Sequence, residues 1–373
     1  MSAGRVIRVL IVDDSAIVRK VLTETLSKEP DLEVVGTAPD PYVARDKILA
    51  LKPDVLTLDI EMPRMDGLTF LQKLMQFHPM PVVIISSLAQ PSCRVAIAAM
   101  ESGAVEVLAK PGGPYSVGEL QHVLANKIRA AAAARLRFPP PGTAPAALRS
   151  PTTLKATSSR GVIAIGASTG GTEAIASVLR VLPKGAPGVV VVQHIPPVFS
   201  RAFASRLDEI CEIDVKEAQD GDVVRPGLAL VSPGDFHMVV RRGASGYFVN
   251  VKTGPRVCYQ RPSVDVLFFS VAEAIGPEAV GALLTGMGAD GAQGLLRMRN
   301  AGARTIAQNE ATCVVFGMPR EAIQLGAAQQ VVPLDRIAHA LMEPASGAHQ
   351  TPRPAAPAST QTPHPEPGAV RPF

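Results

Sequence analysis

Short apolar runs separated by amphipathic stretches set the pattern of the first third of the chain. Runs at residues 6–12, 34–37, 55–58, 82–85 and 105–108 are rich in β-branched residues and bounded by polar positions, which marks them as buried strands. Between them, stretches such as 16–26 and 42–51 place apolar residues at helical spacing. Five buried strands alternating with helices predict an α/β domain, a flavodoxin-like doubly wound parallel sheet.

From about residue 130 to 160 the pattern dissolves into AAAARLRFPPPGTAPAALRSPTTLKATSSR. This composition cannot build a core and reads as a linker, with helix possible only at its alanine-rich start. Alternation resumes at Gly161, with strand candidates at 162–165, 189–192, 228–232, 281–284 and 303–307, and predicts a second α/β parallel-sheet domain. The proline-rich end shows almost no aliphatic periodicity and is expected to be disordered. The expected organisation is a first domain over 1–127, a linker over 128–160, a second domain over 161–342 and a tail over 343–373.

Composition narrows the class. A chain of 373 residues exceeds the usual single core, in keeping with two domains. Hydrophobic residues at 47% and charged ones at 19% describe soluble globular material. The formal charge is +4, Lys and Arg are scattered, and aromatics make up 4%, which argues against a nucleic-acid surface. Cys93, Cys211, Cys258 and Cys313 lie far apart without a CxxC pair, as expected of thiols in a reducing compartment. The opening MSAGRVIRVLIVDD sets acid directly after a short apolar run, unlike a signal peptide, and no run approaches the ~20 residues of a membrane span. A cytoplasmic monomer with no membrane insertion is expected.

Four polar features close successive strands: Asp13 and Asp14 the first, Asp59 the third, Ser86 the fourth and Lys110 the fifth. Ligands of doubly wound sheets bind outside those strand ends, so the spacing converges three carboxylates, a hydroxyl and an ammonium on one site. Such carboxylates call for a hard cation such as Mg²⁺, and Asp59, central among them, can act as nucleophile toward a phosphoryl donor. These residues resemble the receiver domain of two-component response regulators. The resemblance implies Mg²⁺ on Asp13, Asp14 and Asp59, phosphorylation of Asp59, contacts from Ser86 and Lys110, and a cis peptide at Lys110–Pro111. Val107 stands where many receivers carry a rotating aromatic residue, so the signal is expected to pass through backbone shifts around Ser86 instead.

In the second domain, VIAIGASTGGTEAIASVLRVL reads as strand, Gly-rich turn and helix, with Ser168 in the turn beside the helix N-terminus. Free N–H groups and the positive dipole end there favour a developing oxyanion, and the G-x-S-x-G form is that of a nucleophile elbow. The competing reading, a dinucleotide-binding loop, wants an acid at the end of the next strand. That strand ends instead in Gln193 and His194, and His194 suits a general base. His237 is a rival base, and Asp290, Asp235 and Asp265 are candidates to orient it.

Taken together, GASTGG, QHIPP, SPGDFHM and LTGMGADGA resemble the catalytic domain of chemotaxis protein-glutamate methylesterases, and with the receiver in front the likeness spans residues 5–342. It implies a Ser168–His194–Asp290 triad, oxyanion donors near Thr169 and Met287, and no cofactor for the esterase step. It further implies hydrolysis of glutamyl methyl esters, and deamidation of some glutamines, on methyl-accepting chemotaxis receptors, under control of a chemotaxis histidine kinase. Other readings are a receiver joined to a non-catalytic nucleotide- or partner-binding module, and a nicotinamide-dependent reductase. A transcriptional regulator would need a helix-turn-helix signal, which the sequence lacks.

Overall fold

The computed structural model describes residues 5–110, 117–136 and 161–343. The Lys110–Pro111 peptide, most of the expected linker and the tail from residue 344 lie outside these.

The first domain alternates β1 (Ile7–Val12), α1 (Ala16–Leu26), β2 (Leu32–Ala38), α2 (Pro41–Leu51), β3 (Val55–Asp59), α3 (Gly67–Phe77), β4 (Val82–Ser86), α4 (Gln90–Glu101), β5 (Glu106–Ala109) and α5 (Val117–Ala132). The strands pair in parallel in the order β2-β1-β3-β4-β5. Strands β3, β4 and β5 are buried along their whole length, as strands covered by helices on both faces must be. Local chemistry sets the helix starts: Ser15, Asp40 and Asp66 each accept a bond from a backbone N–H of the following first turn. Strand order reverses at β1, so its C-terminal end and that of β3 open the crevice expected of this fold. Gly67 at the start of α3 closes against it; a Cβ there would lie 2.1 Å from the Asp59 carbonyl oxygen.

The second domain contains β6 (Val162–Ala167), α6 (Gly171–Leu179), β7 (Gly188–Gln193), α7 (Phe199–Ile210), β8 (Asp214–Glu217), β9 (Val223–Val224), β10 (Leu228–Val231), β11 (His237–Gly243), β12 (Gly246–Lys252), α8 (Val264–Ala274), β13 (Val280–Leu283), α9 (Ala292–Asn300), β14 (Arg304–Gln308), α10 (Met318–Gln324), β15 (Gln330–Val332) and α11 (Leu334–Met342). Seven parallel strands run β15-β14-β13-β6-β7-β10-β8, and β11-β12-β9 form a separate antiparallel sheet. The order reverses at β6, which lies between β13 and β7. Everything that follows these three strands therefore meets at one crevice.

The fold class matches the sequence reading, with strand ends displaced by a residue or two. The reading had no counterpart for β8, β15 or the antiparallel sheet. Strands β8 and β15 are edge strands of four and three residues, too short and too polar to register as apolar runs. Helix α5 continues past residue 127 to Ala132, so the alanine-rich start of the linker segment is helical. No helix among the described residues is long and apolar enough to cross a membrane.

Candidate functional site

At the receiver crevice the carboxylates of Asp13, Asp14 and Asp59 bring ligating oxygens within 4.8 Å of one another. Lys110 extends its ammonium to Asp59 Oδ2 at 2.7 Å and Asp13 Oδ2 at 3.3 Å. Arg19 ties down the loop by donating to the Asp13 and Asp14 carbonyls at 2.7 and 2.9 Å. Burial is the main reason that the Asp59 carboxyl is pushed up to about 6; Lys110 pulls it down and Asp13 pushes it further up. Asp13 is raised for the same first reason, burial, against the lowering influence of Lys110. Ser86 is buried at the end of β4, and its carbonyl accepts the Lys110 N–H at 2.9 Å. A hard divalent cation fits this donor set: all ligands are oxygen, and the buried Asp13 and Asp59 carboxylates share the single ammonium of Lys110, which leaves negative charge for a cation to neutralise.

In the second domain Ser168 follows β6, His194 follows β7 and Asp290 lies in the turn before α9, all three buried. The turn bearing Ser168 is locked from several sides. Its N–H donates to Thr285 O at 3.0 Å, while its carbonyl accepts from Gly171 N at 2.7 Å and Gln193 Nε2 at 2.8 Å. Gly170 adopts φ +74°, and a Cβ on Gly171 would lie 2.1 Å from Gln193 Oε1, so both glycines are required for the turn to close. His194 Nε2 lies 2.7 Å from Asp290 Oδ2, and its Nδ1 is buried with no hydrogen-bond partner among the described residues. Asp290 also accepts from Ser263 Oγ at 2.8 Å, Val264 N at 2.7 Å and Asp265 N at 3.0 Å, at the N-terminus of α8. Burial alone would raise the Asp290 carboxyl, but the bond to His194 and these N–H donors outweigh it and leave it lowered. Among the described residues no acceptor engages the N–H of Thr169 or of Met287.

The rivals have other employment. His237 Nε2 meets the Pro255 carbonyl at 2.9 Å, and its Nδ1 accepts from Ser263 N at 3.3 Å. Asp235 pairs with Arg261 at 2.7 Å and Arg256 at 3.3 Å. Asp265 accepts from Gly294 N at 2.6 Å and so ties α8 to α9.

Known proteins carry the same two-part pattern. The family model described as CheB methylesterase matches residues 163–341, and that of the response regulator receiver domain matches residues 9–121. The chain is 57% identical over 334 residues to protein-glutamate methylesterase/protein-glutamine glutaminase 2 of Syntrophus aciditrophicus (strain SB), covering 89% of this chain and 97% of that one. It is 53% identical over 341 residues to protein-glutamate methylesterase/protein-glutamine glutaminase of Escherichia coli (strain K12), covering 90% and 96%. The chain belongs to the protein-glutamate methylesterase/protein-glutamine glutaminase family. Among solved structures, the catalytic domain of Thermotoga maritima CheB methylesterase aligns with a TM-score of 0.48 at 38% identity, covering 49% of this chain and 97% of that one.

In this methylesterase-family chain the receiver reaches the serine site directly. A cavity of about 440 Å³ is lined on one side by Ser168, Thr169, His194 and Met287, and on the other by Val123, Asn126 and Lys127 of α5. Glu106, buried at the start of β5, accepts from Lys127 Nζ at 2.6 Å and from the hydroxyl of Thr169, the neighbour of Ser168, at 2.8 Å. Arg135, just past α5, donates to the Val314 carbonyl at 2.9 Å and pairs with Glu310 at 2.7 Å. The sequence reading gave no role to Glu106, Gln193, Thr285 or Ser263. Only Gln193, a polar residue ending an apolar strand, carried a visible signal.

Proposed function

We propose that this chain hydrolyses glutamyl methyl esters, and deamidates particular glutamines, on methyl-accepting chemotaxis receptors, and that phosphorylation of Asp59 by a chemotaxis histidine kinase switches the activity on. The observation that carries the esterase reading is the buried His194–Asp290 pair, which lines the same cavity as Ser168 and leaves His194 Nδ1 without a hydrogen-bond partner among the described residues. Asp290, held ionised, accepts the Nε2–H and leaves the lone pair on Nδ1; the ring is thus mounted the opposite way round from the common triad. His194 Nδ1 takes the proton of Ser168 Oγ as that oxygen attacks the ester carbonyl. The N–H groups of Thr169 and Met287 receive the oxyanion, each such donor being worth about 2.7–4 kcal/mol. His194 then returns the proton to the departing methanol, or ammonia from a glutamine. Water, activated by the same nitrogen, releases glutamate from the seryl ester. The donors present need no cofactor for this step.

In the receiver, Asp13, Asp14 and Asp59 would hold Mg²⁺, which neutralises charge on the incoming phosphoryl group when bound. Lys110 and Ser86 stand beside Asp59 to meet the phosphate oxygens. Residues 1–127 act as the switch, 128–160 as connector and 161–342 as the enzyme, working in the cytoplasm as a monomer. A non-catalytic output module fits poorly with a hydrogen-bonded His–Asp pair buried at a serine turn, and the family supports the enzyme.

The deciding assay counts methanol released from radiomethylated receptor membranes, with and without a small phosphodonor and Mg²⁺. Ser168→Ala should abolish release, and Asp59→Asn should abolish only the increment from the phosphodonor. Release that survives Ser168→Ala would refute the assignment.

A further inference from the structure

Residues Val257 and Gln260 exchange both backbone hydrogen bonds, at 3.0 and 2.8 Å, and so close a two-residue hairpin turn. Its central residues, Cys258 and Tyr259, have φ of +50° and +62°. A turn with both central residues left-handed is the preserve of Asn and Gly, and two larger side chains there are strained. Strain of this kind persists where the surroundings hold it and tends to mark sites of recognition. The bracing is visible. Arg261 grips Asp235 at 2.7 Å and the Gly254 carbonyl at 2.6 Å, and two residues on, Ser263 donates to the triad acid Asp290. Cys258, Tyr259 and Gln260 all line the cavity that holds Ser168 and His194. Tyr259 is 69% exposed, and among the described residues the ring stacked near it is His122 of α5, with centroids 4.5 Å apart.

We propose that Tyr259 is a specificity-determining residue that binds the receptor helix, and that His122 of the receiver occupies its ring in the resting state. The proposal rests on the esterase reading. A tyrosine fixed on a tight turn offers a large amphipathic face at little entropic cost. Such a face suits the apolar side of a helix whose methyl ester enters the cavity, with apolar residues three or four positions from the ester meeting the ring. Withdrawal of α5 would free the same face that the substrate needs, so uncovering of the serine and uncovering of the docking wall are one event.

The test uses the full chain with phosphodonor and compares two substrates: methylated receptor membranes, and p-nitrophenyl acetate, which reports only the competence of the serine. Cys258→Asn with Tyr259→Gly installs the residues this turn prefers, so the pair should fold with an unfolding midpoint no lower than that of the parent. The ratio of receptor to small-ester kcat/KM should fall at least about tenfold, mainly through a higher receptor KM. Tyr259→Phe, which keeps the ring, should restore most of that ratio. His122→Ala should raise receptor hydrolysis in the absence of phosphodonor. An unchanged ratio in the folded double variant, or equal losses on both substrates, would overturn the proposal. A parent chain that cleaves the small ester and no receptor ester would instead overturn the esterase reading on which it rests.

Discussion

Three acids compete for one role at the serine site, and their surroundings separate them. Asp290 touches His194 and is kept ionised by three further donors, so Asp290→Asn should leave the fold intact while presenting the wrong hydrogen-bonding partner to the ring. A loss of about 10³–10⁴ in kcat, with KM little changed, is expected in the receptor-ester assay. Asp265 is bonded to Gly294 N and not to the histidine, and its carboxyl is raised to about 6, first by burial and then by the nearby Asp290, against the lowering effect of the Gly294 N–H. A carboxyl raised on folding costs stability above its folded value, and the cost fades as pH falls toward the unfolded value near 3.8. Asp265→Asn keeps an acceptor for Gly294 and removes that cost, worth up to about 3 kcal/mol. Thermal unfolding should therefore occur at a higher temperature in the variant at pH 7.5, with the gap closing between pH 6 and 4. A lower midpoint at every pH would show that the ionised group is needed. The sequence put Ser168 and His194 at neighbouring strand ends without help from a fold. It preferred Asp290 to Asp235 and Asp265 only on its Gly-rich turn after an apolar strand, because tertiary contact alone reveals what each acid faces. Glu106 was invisible for a related reason: one acid at the start of an apolar strand looks like an ordinary strand boundary.

At the level of elements, strands buried on both faces were legible because burial on both faces forces continuous apolar runs. Edge strands β8 and β15 were not, since they are short and half of their surface is free to be polar. Contacts between elements of different domains leave no periodic trace at all, and the most consequential of these joins β5, α5 and the turn after β6. Glu106 on β5 binds Lys127 of α5 and Thr169 beside Ser168, and it immediately precedes Val107 and lies four residues from Lys110. Any movement of β5 that follows phosphate on Asp59 would pull on this bond, without the aromatic relay that Val107 forgoes. Glu106→Gln with Lys127→Met removes the buried charges together and leaves no lone ion behind. It replaces a bond to an ionised acceptor, worth about 1.5–3 kcal/mol, with a neutral one worth about 0.5–1.5 kcal/mol. Methanol release without phosphodonor should rise about five- to tenfold, while the fully phosphorylated rate stays near that of the parent. No rise in a folded double variant would mean that the Thr169 hydroxyl plays no part in holding the domains.

For the whole molecule, the receiver and the esterase share more than a polar latch. Helix α4 packs on α7, and Ile97 and Met100 of the one belong to the same buried cluster as Phe203 and Leu207 of the other. Arg206 of α7 reaches across to Glu101 at 2.7 Å, at a partly exposed margin where such a pair adds little. Apolar contact therefore adds to the polar bonds that would hold the receiver against the esterase domain, and phosphate would have only to offset their sum, not abolish it. A fragment beginning at Ser159 loses the receiver altogether and has no closed state to leave. Its receptor-ester activity without phosphodonor should exceed that of the resting full chain by the closed-to-open ratio. A hundredfold difference would put the closing free energy at about 2.7 kcal/mol. The phosphorylated full chain should fall between the two, and its distance from the fragment measures how incompletely phosphate opens the cleft. If the fragment folds, cleaves p-nitrophenyl acetate and yet releases no methanol from receptors, the receiver must contribute to substrate binding as well as to closure.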